Sequence, residues 1–531
     1  MDSVTRHILD LSRRGLLRGA TAMAALAATR PAFAQRVAPM PVFRTDPFPL
    51  GVASGDPWPD GVVIWTQLSQ DPLGDGGLPP EALELGWEVA EDEGFTRIAA
   101  RGTALARPEL NHSVRVEVTG LRPAARYHYR FHAGGVASPV GRTRTAPAPV
   151  ARPARMRFIS AGCQHYEQGL YTAWRHAATE EDIDFVFHYG DYIYEGRANT
   201  GRSGNFPAIR SHNSPPVETL EAYRRRYALY QLDPDLRAAH HAHPFITSFD
   251  DHEVENNWAG AISARAGIGP EVLALRKAAA FQAWYEAMPV RRGQIPRGPE
   301  VTAWRGIAWG TLASISVLDT RSHRDDQPCG DFVKPVCEAV LNPAAQVLGP
   351  EQESWLFRRL AGAEAVWSIL AQQVPVMRRD VGGANGDETP RYDMDKWDAY
   401  PAARARLLNH VWEARVANLV VLTGDVHTAW AGTLRPDYDR EGPALGVEFI
   451  ASSISSAGDG GETSATGQRA LERNPHIRFF NARRGYTLHQ ADERRMQTWF
   501  RAVPYVSRPG APLEDRAHFV VEAGRPELIP A

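Results

Sequence analysis

Four apolar runs in this 531-residue chain, each the length of one buried strand, break off on residues able to bind metal ions. Residues 156–160 lead into Gly162-Cys163, and residues 183–188 into Gly190-Asp191 with Tyr194 three positions on. Residues 245–249 lead into Asp250-Asp251-His252, and residues 419–422 into Gly424-Asp425-Val426-His427. Packing gives a buried strand end no reason to carry a carboxylate unless that carboxylate is paired or metal-bound. Helical periodicity falls between the runs, at 170–178, 220–229, 271–288, 352–360 and 402–416. This alternation predicts an α/β domain, in which ligands bind beyond the carboxyl ends of the strands. A further strand at 312–318 ends on Asp319-Thr320-Arg321, and late strands are predicted at 447–450 and 518–522.

The first third of the chain has a different grammar. Residues 113–118 (Ser-Val-Arg-Val-Glu-Val) and 127–131 (Tyr-His-Tyr-Arg-Phe) alternate with period two, and 62–65 and 85–90 are further strand candidates. Turns recur about every ten residues, which predicts a small antiparallel β-sandwich with a tyrosine corner on the 127–131 strand. An Ala/Pro-rich linker is expected at 142–153. Three domains follow: residues 1–34 as a signal peptide, 35–150 as the sandwich and linker, and 151–531 as the catalytic domain.

The signal carries Arg13-Arg14 before Leu16-Leu17, a weakly apolar Ala-rich run, and Ala32-Phe33-Ala34 before Gln35. It resembles a twin-arginine export signal. The expected partner is the twin-arginine export machinery, and the expected location is the periplasm or the exterior. No apolar run in the body matches a spanning helix, and no lipid-modifiable cysteine follows the cleavage site, so no permanent membrane anchor is expected. A net charge of −3 and the lack of a basic stripe exclude a broadly basic nucleic-acid coat, and no stable nucleic-acid partner is expected. The basic residues are 56 arginines and three lysines. Three cysteines exclude a disulfide-built scaffold. Cys329 and Cys337, eight residues apart, are a plausible disulfide in an exported protein, which would leave Cys163 free to ligate.

The candidate ligands sort by chemistry. Tyrosine ionises near pH 10, so only a strong Lewis acid holds it as tyrosinate. A thiolate–phenolate–imidazole side (Cys163, Tyr194, His427) beside an oxygen-rich side (Asp191, Asp251, Asp425) predicts two unlike ions. One is Fe3+; the other is a hard divalent ion such as Ca2+, with Zn2+, Mn2+ or Mg2+ as alternatives.

The ordered set resembles the calcineurin-like (purple acid phosphatase-like) metallophosphoesterases, and within them the PhoD-type alkaline phosphatase/phosphodiesterases. The stretches that carry the resemblance are residues 51–57 (Gly-Val-Ala-Ser-Gly-Asp-Pro), 190–195 (Gly-Asp-Tyr-Ile-Tyr-Glu), 250–258 (Asp-Asp-His-Glu-Val-Glu-Asn-Asn-Trp), 318–321 (Leu-Asp-Thr-Arg) and 423–427 (Thr-Gly-Asp-Val-His). The resemblance implies a four-layer αββα catalytic domain and hydrolysis of small phosphoesters, with hydroxide held at the metals attacking phosphorus. It implies iron on Cys163, Asp191, Tyr194 and His427, with Asp191 bridging and Asp425 on the second ion. Three departures stand out: Cys163 replaces an aspartate, Asp425 a histidine, and Asp251 the usual asparagine. The second ion therefore falls to Asp251, Asn256 or Asn257. A further second-metal histidine is expected between Arg321 and Asn418, and none is evident. His252 is the candidate general acid and Arg321 the candidate phosphate clamp. His165 and Tyr166 are candidates for the mouth of the site. The tracts 189–213 and 382–400 are candidate covers. A monomer is favoured. Two other readings stand beside this one: a phospholipase D-like enzyme acting on lipid head groups, and a non-catalytic metal-binding protein on the same fold.

Overall fold

The computed structural model describes residues 37–199, 201–383, 387–440 and 442–531. The export signal expected at 1–34 lies outside the described residues. Period-two alternation becomes a sandwich, as its chemistry requires. Tyr127, Tyr129, Phe131 and Ala133 are buried along Arg126–Ala133 while the residues between them face outward. That strand and Ile98–Ala106 flank Ala82–Ala90, both antiparallel. Across a core of Phe48, Ile64, Leu85, Val89, Tyr129 and Phe131 this sheet packs on Gly61–Gln67 and Ser113–Val118. The backbone N–H of Arg122 donates to the Tyr127 hydroxyl at 2.9 Å, making the corner. The tract expected as a linker opens instead as a strand, Gly141–Arg144, on the edge of Arg126–Ala133.

The second face of this sandwich is not a separate sheet. Val52–Trp58 pairs antiparallel with Gly61–Gln67, and its Gly55 pairs in parallel with Phe245 of the main domain. From there the sheet runs through Phe245–Thr247, Phe185–His188 and Met156–Ala161, all parallel. It continues through Ile477–Ala491, Arg495–Val503, Glu514–Glu522 and Arg525–Pro530, all antiparallel. A second sheet orders Arg305–Trp309, Ala313–Val317, Trp367–Ala371, Leu419–Thr423, Gly446–Ile450 and Ala429–Leu434. The two sheets share the 15-residue strand Ile477–Ala491. Its first five residues pair with Ala429–Gly432 and its last five with residues 156–160.

Phe158, Phe187, Ile246, Ile315, Ile369 and Leu422 fill the space between the sheets. Thr172–Thr179, Leu220–Gln231, Pro234–Ala242 and Pro270–Ala287 cover one outer face. Gly349–Ala361, Pro401–Glu413 and Ala465–Arg473 cover the other. The domain therefore has the four-layer αββα architecture. Its parallel strands are buried on both faces, which is why they read as continuous apolar runs.

Gly485 sits where the shared strand passes from one sheet to the other. A Cβ there would lie 1.9 Å from the Arg501 carbonyl oxygen, so backbone has to give way. Gly485→Ala is expected to destabilise the fold by about 1–3 kcal/mol, read as an earlier midpoint in denaturant unfolding. A midpoint equal to that of the native protein contradicts the close approach.

Candidate metal centre

Four loops leave the carboxyl ends of neighbouring strands and converge. Cys163, Asp191, Asp425 and His427 all adopt left-handed backbone angles, with φ of 51°, 54°, 66° and 57°. Such angles are costly for non-glycine residues and persist where the surroundings over-determine them. Here the surroundings are specific. The Tyr189 ring lies between two of the loops, against Gly162 and Gly424. A Cβ on either glycine would come within 2.4 Å or 2.1 Å of the ring. The Tyr189 hydroxyl is anchored on the Ser452 carbonyl at 2.9 Å. Glu253 ties the other two loops, accepting from the Asp191 and Asp250 N–H groups through Oε2 at 3.1 and 2.8 Å. Its Oε1 accepts from the Tyr192 N–H at 2.5 Å.

Three overlapping triads result: Cys163/Asp191/His427, Asp191/Asp251/His252 and Asp250/Asp251/Asp425, each with ligand atoms within 4.8 Å of one another. Asp191 belongs to two of them and joins the two halves. Tyr194 completes the first. Its hydroxyl donates to Asp191 Oδ2 at 2.7 Å, lies 3.0 Å from His427 Nε2 and accepts from Ser456 Oγ at 2.7 Å. Burial and the nearby carboxylates push the Cys163 thiol and the Tyr194 phenol up from their ordinary values. Burial opposes the charge of Asp191, yet His252 and His427 hold its carboxyl well below the usual range.

The second half is a buried set of like charges. Burial, with Asp191 and Asp425 adding to it, raises Asp251 to about 7 against the opposing pull of Arg321 and His252. Asp250 rises for the same reasons. Arg321 does not reach into the cleft as the phosphate clamp that the sequence suggested. It is fully buried beneath the carboxylates, with Nε on Asp250 at 2.6 Å, Nη1 on Asp395 at 2.7 Å and Nη2 facing Asp425 at 3.4 Å. A buried guanidinium so placed is the counter-ion of the cluster. In place of the histidine expected between Arg321 and Asn418, Lys396 reaches the cluster, its Nζ pairing with Asp395 at 2.8 Å and with Asp425. Of the amide candidates, Asn257 donates its N–H to Asp251 Oδ2 at 2.7 Å and its amide nitrogen to Asp331 at 2.7 and 2.8 Å. Asn256 gives its N–H to Glu195 at 2.9 Å, and both asparagines line the cleft.

His252 also lines the cleft. Its Nδ1 lies 2.7 Å from Glu195 Oε2, and its ring packs 4.1 Å from the Tyr194 ring centre. Burial works against the charged ring, but Glu195, Asp251 and Asp191 outweigh it and raise its basicity. Glu195 is pulled down to about 2, His252 overcoming the cost of burial. His165 is not among the residues that line the cleft. Its ring lies 4.4 Å from the Tyr194 ring, and burial lowers its pKa to about 3. Tyr166 is held under Arg210.

The donor set suits cations. Asp191 Oδ1 and Asp250 Oδ2 are buried with no hydrogen-bond partner, in a cluster already crowded with negative charge. The pattern matches a binuclear metal site: a sulfur–oxygen–nitrogen half and an all-oxygen half joined by one carboxylate. Sequence reasoning gave no role in the cluster to Glu195 or Glu253, and placed Asp395 and Lys396 only within a candidate cover. For Lys396 a signal was present, since it is one of three lysines in a chain with 56 arginines.

Two family models match the chain. The PhoD-like phosphatase model covers residues 158–500, and the PhoD-like phosphatase N-terminal domain model covers residues 32–147. The chain is 45% identical to alkaline phosphatase D of Bacillus subtilis (strain 168) over 464 residues, which is 87% of this chain and 78% of that protein. A solved structure of PhoD superposes with a TM-score of 0.89 at 45% identity, covering 92% of this chain and 93% of that one. With both models in sequence order and the fold reproduced over nearly its whole length, the chain belongs to the PhoD-like phosphatase family.

Proposed function

We propose that this protein is a phosphatase/phosphodiesterase that hydrolyses phosphoric esters outside the cytoplasm at a dinuclear metal centre. The observation that carries the reading is the convergence of Cys163, Tyr194 and His427 on one side of Asp191, with Asp251 and Asp425 on the other. The first set suits Fe3+. The second suits Ca2+ or another hard divalent ion, completed by Asn256 or Asn257. When bound, two such cations supply Lewis acidity to the phosphoryl oxygens and lower the pKa of water. The family relative named an alkaline phosphatase supports the same reading.

The chain's own residues do the rest. Breaking the P–O bond leaves an electron pair on the departing oxygen, which needs a proton. His252 is poised to give one. Glu195 holds its Nδ1, which leaves Nε2 as the atom that donates. Arg321 and Lys396 offset the buried carboxylates so that the cluster persists. Arg13-Arg14 and the site at Ala34 support export through the twin-arginine route, and among the described residues no helix is long and apolar enough to cross a membrane. A monomer is the proposed state.

His252→Ala is expected to lower kcat by about 10²–10⁴-fold with metal content kept, measured on p-nitrophenyl phosphate beside elemental analysis. A variant that loses its second metal instead makes His252 a ligand and contradicts the acid role. Tyr194→Phe is expected to abolish a broad visible absorption band of the native protein. A native protein that is colourless, iron-free and fully active contradicts the iron assignment.

A further inference from the structure

The cleft over the metal centre is larger than a phosphate needs. Its volume is about 680 Å³, and beyond Asp425 and Lys396 it extends along Phe332, Val333, Val381, Trp430 and Phe480. The Trp430 and Phe480 rings pack 4.4 Å apart and form the wall of that far end. Arg379 crosses it, with its guanidinium carbon 5.2 Å from the Trp430 ring centre.

Arg379 differs from the buried, carboxylate-paired arginines around it. Other deeply buried arginines near the site pair with carboxylates: Arg321 with Asp250 and Asp395, Arg324 with Asp395, Arg404 with Asp398. Arg379 is 5% exposed; its backbone N–H donates to Asp398, but among the described residues its guanidinium forms no ion pair, and its Nε is buried with no hydrogen-bond partner. A buried guanidinium left in that state costs stability unless something else supplies the acceptor.

Phe332 is the second anomaly. It is a bulky residue at φ 71°, and it is 69% exposed at the rim of the same cleft. Neither the strain nor the exposure helps the fold. Three restraints hold it there. The Cys329–Cys337 disulfide closes its loop. Val333–Lys334 pairs with Tyr392–Asp393. Asp331 accepts from Asn257 beside the metal centre. An apolar side chain is thus fixed over a cleft that also holds an unpaired cation.

We propose that the far end of the cleft is a subsite for the second substituent of a phosphodiester. That substituent has an aromatic or apolar face, which lies against Trp430, Phe480 and Phe332, and an acceptor oxygen, to which Arg379 donates. The proposal rests on the phosphatase/phosphodiesterase reading and adds to it the chemistry of the diester's second substituent. A group that buries an apolar face while pairing the stranded guanidinium satisfies both anomalies at once.

The test uses the holoenzyme with its native metals and two diesters that share a leaving group. Bis(p-nitrophenyl) phosphate carries an aromatic second substituent with nitro oxygens, and methyl p-nitrophenyl phosphate carries a methyl group. Arg379→Met and Phe332→Ser are each expected to cut the ratio of kcat/KM, bis ester over methyl ester, by about fivefold or more, chiefly through KM. Phe332 is on the surface, so its replacement leaves the core intact. Equal losses on both diesters, or an unchanged ratio in both variants, overturn the subsite. A native enzyme that cleaves p-nitrophenyl phosphate but neither diester also overturns it. A native enzyme inert toward all three esters contradicts the phosphoesterase reading itself.

Discussion

The structure depends on holding several carboxylates together away from water. Asp191, Asp250, Asp251, Asp395 and Asp425 are gathered beneath one cleft, where like charges raise one another's energy. Two cations of the chain itself, Arg321 and Lys396, offset part of this. What remains is a deficit of positive charge: Asp191 Oδ1 and Asp250 Oδ2 have no hydrogen-bond partner, and a thiol, a phenol and an imidazole gather around Asp191. An apolar core would be cheaper to build, so the arrangement makes sense as a binding site for cations rather than as a device for stability.

The fold supplies the geometry that makes such crowding possible. Parallel strands from both sheets end at the same edge, and the long strand Ile477–Ala491 locks the sheets in register. The loops then bend back sharply, which accounts for the left-handed angles at Cys163, Asp191, Asp425 and His427. Tyr189 sets the distance between two loops, and Glu253 between the other two. The N-terminal sandwich is fused to this scaffold through the Val52–Trp58 strand and extends the same sheet.

The converging loops were legible in the sequence because burial on both faces makes a parallel strand uniformly apolar, so a polar residue at or just past its end stands out. The meeting of Cys163, Asp191, Tyr194, Asp251, Asp425 and His427 was legible in this way. The shared strand was not. Arg483, Arg484, His489 and Gln490 interrupt its pattern, and only tertiary pairing explains them: Arg484, for example, is buried on Ser453 Oγ at 2.7 Å. The role of Arg321 was misread for a related reason. A strand-end arginine looks the same in sequence whether it faces a substrate or lies under a group of aspartates, and only the packing of Asp250 and Asp395 against it decides. Lys396 and Arg379 lie in a tract without regular periodicity, where local sequence says little about what the chain folds back to meet.

The most direct measurement is anomalous diffraction from crystals of the native protein, recorded on both sides of the iron absorption edge. The account predicts an iron peak enclosed by Cys163 Sγ, the Tyr194 hydroxyl, His427 and Asp191, with a second, non-iron cation toward Asp251 and Asp425. Density for no cation at Asp191, or for metal bound elsewhere while this cluster stays closed on its own hydrogen bonds, would contradict it.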